Sequence, residues 1–108
     1  MASHGGGYLG GYSGRIDHAW GARSDAHGSL PKPPSSYLRQ MYVDSIVFTP
    51  HQLRALVEVF GAEHVLLGTD YPFDMAEMDP IGHVAGSGLH AEAVAAGCGG
   101  NAARVLRL

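Results

Sequence analysis

Apolar residues recur with different periods along the chain, and each change of period marks an element. From Tyr8 to Trp20, Leu9, Tyr12, Ile16 and Trp20 fall at spacings of three and four, the period of one helix face, although Gly10, Gly11 and Gly14 weaken that helix. Met41-Tyr42-Val43-Asp44 has the composition of a short strand that ends in a carboxylate. The helical period returns at Leu53, Leu56, Val57 and Phe60, here with marked ends. Thr49 suits the N-cap, Pro50 the first helical position, Gln52 the reciprocal place of a capping box, and Gly61 the stop. Val65-Leu66-Leu67-Gly68 is a continuous apolar run, as expected of a strand buried on both faces of a parallel sheet, and it ends at Thr69-Asp70.

The remaining segments are read around these. Met1-Ala2-Ser3 running into His4-Gly5-Gly6-Gly7 reads as the last residues of a strand opening into a loop, so the chain is expected to begin in mid-element. Gly21 to Pro34 is a surface loop by composition, and Ser35 to Gln40 makes one or two helical turns. Asp79-Pro80 starts a helix that Gly82, Gly86 and Gly88 make poor on propensity. His90 to Ala96 is an Ala-rich helix ended by Gly97, and Asn101 caps a last short helix carrying Val105, Leu106 and Leu108. The order strand, helix, strand, helix, strand, helices predicts βα units on a parallel sheet.

Composition narrows the function. With 108 residues the chain is one small domain. A net charge of −3 offers no basic field for a phosphate backbone, so no nucleic-acid partner is expected. The 16 glycines, about twice the usual share of ~7%, cluster in Gly5 to Gly14 and Gly82 to Gly100, which argues against diffuse low-complexity disorder. Cys98 is the single cysteine, which excludes an internal disulfide and a multi-thiolate metal cage. No stretch approaches the ~20 apolar residues of a membrane span and no signal-peptide pattern opens the chain. A soluble, cytoplasmic protein is expected.

In parallel α/β architectures, sites form at the carboxyl ends of strands, which directs attention to His4, Asp44 to Thr49, and Asp70 to Phe73. Asp70 follows a strand with no other charge, so its carboxylate either takes a cationic companion, a metal being one, or caps the turn at Tyr71-Pro72. His4 reads either as a metal ligand or general base, or as a loop histidine before three glycines. Gly5-Gly6-Gly7 lacks the Gly-Lys-Ser/Thr ending of a phosphate loop. His18, His27, His51, His64, His83 and His90 show no ligand-cluster spacing and read as surface residues. Arg15 reads as a solvated helix residue that could also meet a substrate carboxylate. Tyr8, Tyr12, Trp20 and Phe60 read as packing residues. Cys98 has no adjacent base to make it a nucleophile. Asp44, Thr49 and Asp74 fall near the same mouth, and no chemistry assigns them to substrate.

Three segments together resemble the aminocarboxymuconate-semialdehyde decarboxylase branch of the amidohydrolase superfamily. They are His4-Gly5-Gly6-Gly7 with Gly14-Arg15, Tyr37-Leu38 leading to Tyr42-Val43-Asp44, and Leu67-Gly68-Thr69-Asp70-Tyr71-Pro72-Phe73. Gly100-Asn101-Ala102-Ala103 with Leu106 resembles that family's terminal helix, so the likeness covers essentially residues 1–108. The resemblance implies the carboxyl-terminal part of a (β/α)8 TIM-type barrel, in which Met1 to Ser3 finish the sixth strand, Met41 to Asp44 form the seventh and Val65 to Gly68 the eighth. It implies that Asp70 is a ligand of a single divalent metal, usually zinc. By the same likeness His4 hydrogen-bonds the metal-bound water as acid/base, Arg15 reaches a substrate carboxylate, and Phe73 lines the pocket.

The chain departs from that family in having no counterpart of its first-strand His-x-His pair or fifth-strand histidine. One ligand falls short of the three that a catalytic zinc takes, and 108 residues fall short of the ~250 of such a barrel. The expectation is therefore part of a metal-dependent carboxy-lyase acting on a small unsaturated or aromatic carboxylic acid, too short to work by itself. A metal-dependent hydrolase of the same superfamily is the alternative. A further one is a catalytically silent fold remnant or association module that pairs, as a homo-oligomer, through exposed strand edges.

Overall fold

The computed structural model describes all of residues 1–108. Its centre is a short parallel sheet. Strand β1, Val43–Asp44, pairs in parallel with β2, Val65–Leu66, in the register Val43 with Val65 and Asp44 with Leu66. On its other side β1 takes a parallel bridge from Ala2, whose N–H donates to the Tyr42 carbonyl at 2.8 Å. Three chain segments therefore run side by side in one direction, in the order Ala2, β1, β2. The strands are shorter than the apolar runs that encode them: beyond Leu66, Leu67 and Gly68 leave the ladder and are half-buried.

Helices supply the connections. A 3-10 turn at His4–Gly6 leads into α1, Leu9–Ala22, followed by the single turns α2, Ser24–His27, and α3, Ser35–Leu38. Helix α4, Pro50–Phe60, is the crossover between β1 and β2. Pro50 occupies its first turn, and it stops at Gly61, which adopts φ 95° and donates its N–H to Val57. Its predicted cap takes a different form: the Thr49 hydroxyl donates to the Gln52 side-chain oxygen at 2.7 Å and accepts no helix backbone N–H. After β2 come α5, Pro80–Ala85, α6, Ala91–Ala95, and α7, Asn101–Leu106. Helix α5 forms despite its glycines because the Asp79 carboxylate accepts the Gly82 N–H at 2.9 Å and Pro80 sits at the first helical position.

Two boundaries near the carboxyl end differ from expectation. Gly97 does not end a helix; the chain continues through a wide turn at Ala96–Gly100 directly into α7. Gly97 is buried there beside Val84, where a Cβ would make an ordinary contact at 3.5 Å. Asn101 is not a cap either. Its buried amide nitrogen donates to the Ala62 and Val65 carbonyls at 2.7 and 2.8 Å, tying α7 to the start of β2.

The core is one cluster of Leu38, Val43, Leu53, Leu56, Phe60, Val65 and Val84, so the face of α4 read from the sequence is the face that packs on the strands. The stripe on α1 joins it only at its start: Leu9 is half-buried against the core, but α1 contains no fully buried residue, Tyr12 is 55% exposed, and Tyr8 just before it is 65% exposed. Trp20 is half-buried, stacked on His27 with ring centroids 4.3 Å apart. Two of the histidines read as surface residues are also placed otherwise. His64 bonds the Phe60 carbonyl at 2.8 Å and packs edge-on against Tyr42, while His83 has a buried Nε2. No helix is long and apolar enough to cross a membrane.

Candidate active site

The three parallel segments end side by side, and each is followed by a non-glycine residue in the left-handed region: His4 at φ 53°, Phe48 at φ 62° and Asp70 at φ 59°. Such backbone is costly for residues with a Cβ and persists where surrounding structure enforces it, commonly at functional sites. His4 and Asp70, far apart in sequence, meet here: His4 Nε2 lies 3.5 Å from Asp70 Oδ1, with the imidazole largely exposed and the carboxylate 23% exposed. The turn-capping alternative for Asp70 is not realised by its side chain. Thr69 Oγ1 accepts the Tyr71 N–H at 3.2 Å, and only the Asp70 backbone carbonyl enters the turn, accepting from Phe73.

Asp44 was placed at this mouth by the sequence without a role, and the structure supplies one. The residue is 6% exposed; Oδ2 accepts the His4 N–H at 2.9 Å, and Oδ1 accepts those of Gly5 at 2.8 Å and Ile46 at 3.1 Å. Adjacent Ser45 accepts the Gly68 N–H on its hydroxyl at 3.2 Å. Close approach makes this possible: a Cβ on Gly68 would lie 2.9 Å from that of Asp44, and one on Gly5 only 2.5 Å from Val47. An aspartate ending a short strand was the available signal, but two of its three partners, His4 and Gly5, lie 40 and 39 residues away and could not be read from spacing.

The other expected site residues are less engaged. Arg15 lies on the exposed face of α1, lining a recess with Tyr8, Tyr12 and Ile16, and it forms no ion pair or hydrogen bond within the chain. Phe73 is 67% exposed in the loop after Asp70, and Asp74 is exposed. Thr49 is engaged with Gln52. A cleft of about 240 Å³ opens beside the His4 turn, walled by Gly5, Tyr8, Tyr12, Val47 and Leu56.

The donor types at the strand ends suit a divalent metal, but their number does not. No group of three or more His, Cys, Asp or Glu side chains converges anywhere in the chain, whereas a catalytic zinc takes three protein ligands and an open position. What the geometry defines is an imidazole and a carboxylate side by side at the carboxyl ends of parallel strands, the site position of α/β enzymes.

Comparison with known proteins agrees with that class. The amidohydrolase family model matches residues 1–108, and the chain belongs to that family. It is 37% identical over 83 residues to 2-amino-3-carboxymuconate-6-semialdehyde decarboxylase of Caenorhabditis elegans, a match covering 76% of this chain and 20% of that protein. Among solved structures it resembles 5-carboxyvanillate decarboxylase LigW from Sphingomonas paucimobilis, with TM-score 0.83 and 29% identity over 98% of this chain and 32% of that one. The fold also matches dihydroxybenzoic acid decarboxylase from Polaromonas sp. JS666, a structure with bound manganese and the inhibitor 2-nitroresorcinol. There the TM-score is 0.74 at 23% identity, covering 98% and 32% of the two chains. The chain thus spans about a fifth of the length of the curated relative and a third of these barrel-like decarboxylases.

Proposed function

We propose that the chain forms the end of the sixth strand through the eighth strand and terminal helices of a metal-dependent decarboxylase, whose substrate is a small unsaturated or aromatic carboxylic acid. The observation that carries this reading is the approach of His4 to Asp70 at adjacent strand ends; similarity to decarboxylases in both sequence and fold supports it. Asp70 is proposed as one ligand of a divalent metal, zinc by preference, with the other ligands supplied from outside these 108 residues. A metal held by Asp70 together with ligands from elsewhere would supply Lewis acidity toward a substrate oxygen or water. His4, exposed and able to hold a proton at Nε2, serves as the general acid/base. Arg15 is free to meet a substrate carboxylate and Phe73 to wall the pocket.

With a single carboxylate ligand, the 108-residue chain is proposed to be inactive alone. No further strand pairs with the outer edge of β2 or with that of the Ala2 segment, which supports a second reading as a module that associates through them. The test is zinc and manganese binding by the purified chain and by Asp70→Ala, with CO2 release measured on the chain and on a protein that also holds the remaining barrel strands. The expected result is no stoichiometric metal and no CO2 from the short chain, and CO2 release from the longer protein that Asp70→Ala and His4→Ala abolish. Turnover by the short chain would overturn its inactivity. Ester or lactone cleavage without CO2 from the longer protein would replace the lyase by a hydrolase. A monodisperse dimer on gel filtration is the outcome the association reading requires.

A further inference from the structure

The geometry points to Asp44 as a positioning residue that aims the His4 imidazole at Asp70, with Ser45 holding the strand that carries Asp70 in matching alignment. The inference rests on the reading of His4 and Asp70 as the working pair. Asp44 is the one charged side chain among the buried residues. It has no cation beside it: its acceptors are met by backbone N–H groups of His4, Gly5 and Ile46. Burying a carboxylate is unfavourable unless such charge-assisted bonds compensate, and a neutral residue would suit a core whose only demand is packing. What these bonds secure is a particular backbone. The successive N–H groups of His4 and Gly5 converge on one carboxylate while both residues sit at positive φ, 53° and 61°. At His4 that conformation is disfavoured without support, and it is the conformation from which Nε2 comes to 3.5 Å from Asp70.

The other flank is tied by the next residue. Ser45 donates its N–H to the Leu66 carbonyl at 2.9 Å and accepts the Gly68 N–H on its hydroxyl at 3.2 Å. Gly68 lies two residues before Asp70 and is pressed against Asp44 and Ile46. The central strand therefore carries no member of the pair but cross-links the two segments that do. In a purely structural role Asp44 would affect the whole fold alike; in a positioning role it acts first on the mutual placement of His4 and Asp70.

NMR on the isotopically labelled 108-residue chain separates these roles. The readouts are amide exchange at His4, Gly5, Gly68 and along α4, and the NOE between the His4 ring and the Asp70 β-protons. Asp44→Asn keeps the volume and one acceptor but turns an amide donor toward the N–H groups. It is expected to speed exchange at His4 and Gly5 about tenfold, the loss of one buried bond, and to abolish the His4–Asp70 NOE while α4 stays protected. Ser45→Ala is expected to speed exchange at Gly68 and weaken the same NOE. An NOE of wild-type intensity in Asp44→Asn overturns the proposal, as does a uniform loss of protection that includes α4 in both variants. If Asp44→Asn does not fold, Ser45→Ala decides: a weakened NOE over a protected α4 upholds the proposal, and an unchanged NOE overturns it. None of these readouts involves turnover, so they stand or fall separately from the decarboxylase assay.

Discussion

Helices α1 and α4 touch each other beside the same strand ends, yet they take opposite parts in the core. Helix α4 seals Leu53, Leu56 and Phe60 against the strands, whereas α1, three residues longer, buries none of its side chains fully. Where they meet, Gly10 of α1 faces Phe60 and Leu56 of α4, and Leu9 packs on the same core cluster. A Cβ on Gly10 would lie 3.5 Å from the Phe60 ring and 3.7 Å from Leu56, and one on Gly6 would lie 3.2 Å from Phe60. Leu9 at the start of α1 packs on the core, while Tyr12 and Ile16 line the outward recess that also holds Arg15. An apolar stripe at helical spacing thus predicts a helix, but which face is buried depends on which neighbour lies where.

The sharpest break of this comparison is truncation of one ring on each helix. Phe60→Ala is expected to cost about 3–5 kcal/mol in denaturant unfolding. Tyr12→Ala is expected to stay within about 0.5 kcal/mol. Equal losses would mean that α1 is covered in solution, and its outward stripe would then be an interface.

Removal of the tie behind α4 comes next. Asn101→Ala leaves the Ala62 and Val65 carbonyls without their buried donor and is expected to cost about 1–3 kcal/mol, read as a fall in the denaturation midpoint at constant slope. No loss would mean that water replaces the amide and that α7 is held by its packing.

Glycines should respond with opposite signs in the two regions. Gly5→Ala forces a side chain onto φ 61° and into Val47, and is expected to destabilise by at least about 1–2 kcal/mol. Gly14→Ala lies in the middle of α1 with open space around its Cβ and is expected to stabilise by about 1 kcal/mol. Thermal melts of both variants check the pair, and a destabilising Gly14→Ala would break the view that α1 is free on that side.

The smallest effect lies beyond α1. The Arg23 guanidinium, bonded in two places to Asp25, holds that carboxyl below its usual range, and both groups are fully exposed. A depressed carboxyl contributes stability above its unfolded pKa and loses it as pH falls through the folded value. The window is therefore acidic and the contribution screened by solvent and salt. Arg23→Ala is expected to raise the Asp25 midpoint toward the ordinary carboxylate range in an NMR titration, with the melting temperature unchanged at neutral pH. A lower melting temperature would show that the α1–α2 corner carries more of the fold than its exposure implies.

Much of the site was legible residue by residue. His4 and Asp70 follow apolar segments at places where an α/β sheet puts its chemistry, and the motifs around them carry the family likeness that the comparisons bear out. Residues whose partners are remote were not legible. Asp44 was legible only as a residue near the mouth with no assigned role, and its use as an acceptor for His4 and Gly5 depends on two strands lying side by side. Asn101 looked like a cap for the same reason: local spacing suggests a local bond, and the Ala62 and Val65 carbonyls it actually meets lie 39 and 36 residues away.

The sequence by itself determined the elements, since periodicity, Pro50, Gly61 and Asp79-Pro80 act within a few residues through local sterics and hydrogen bonding. It also determined the parallel βα order, because alternating strands and helices leave few connections. Tertiary structure alone decided which helix face is buried, which carboxylate is spent on the backbone and which stays beside the imidazole. Those outcomes turn on contacts between segments about 20 to 66 residues apart, and the chain encodes such contacts only through the fold that closes them.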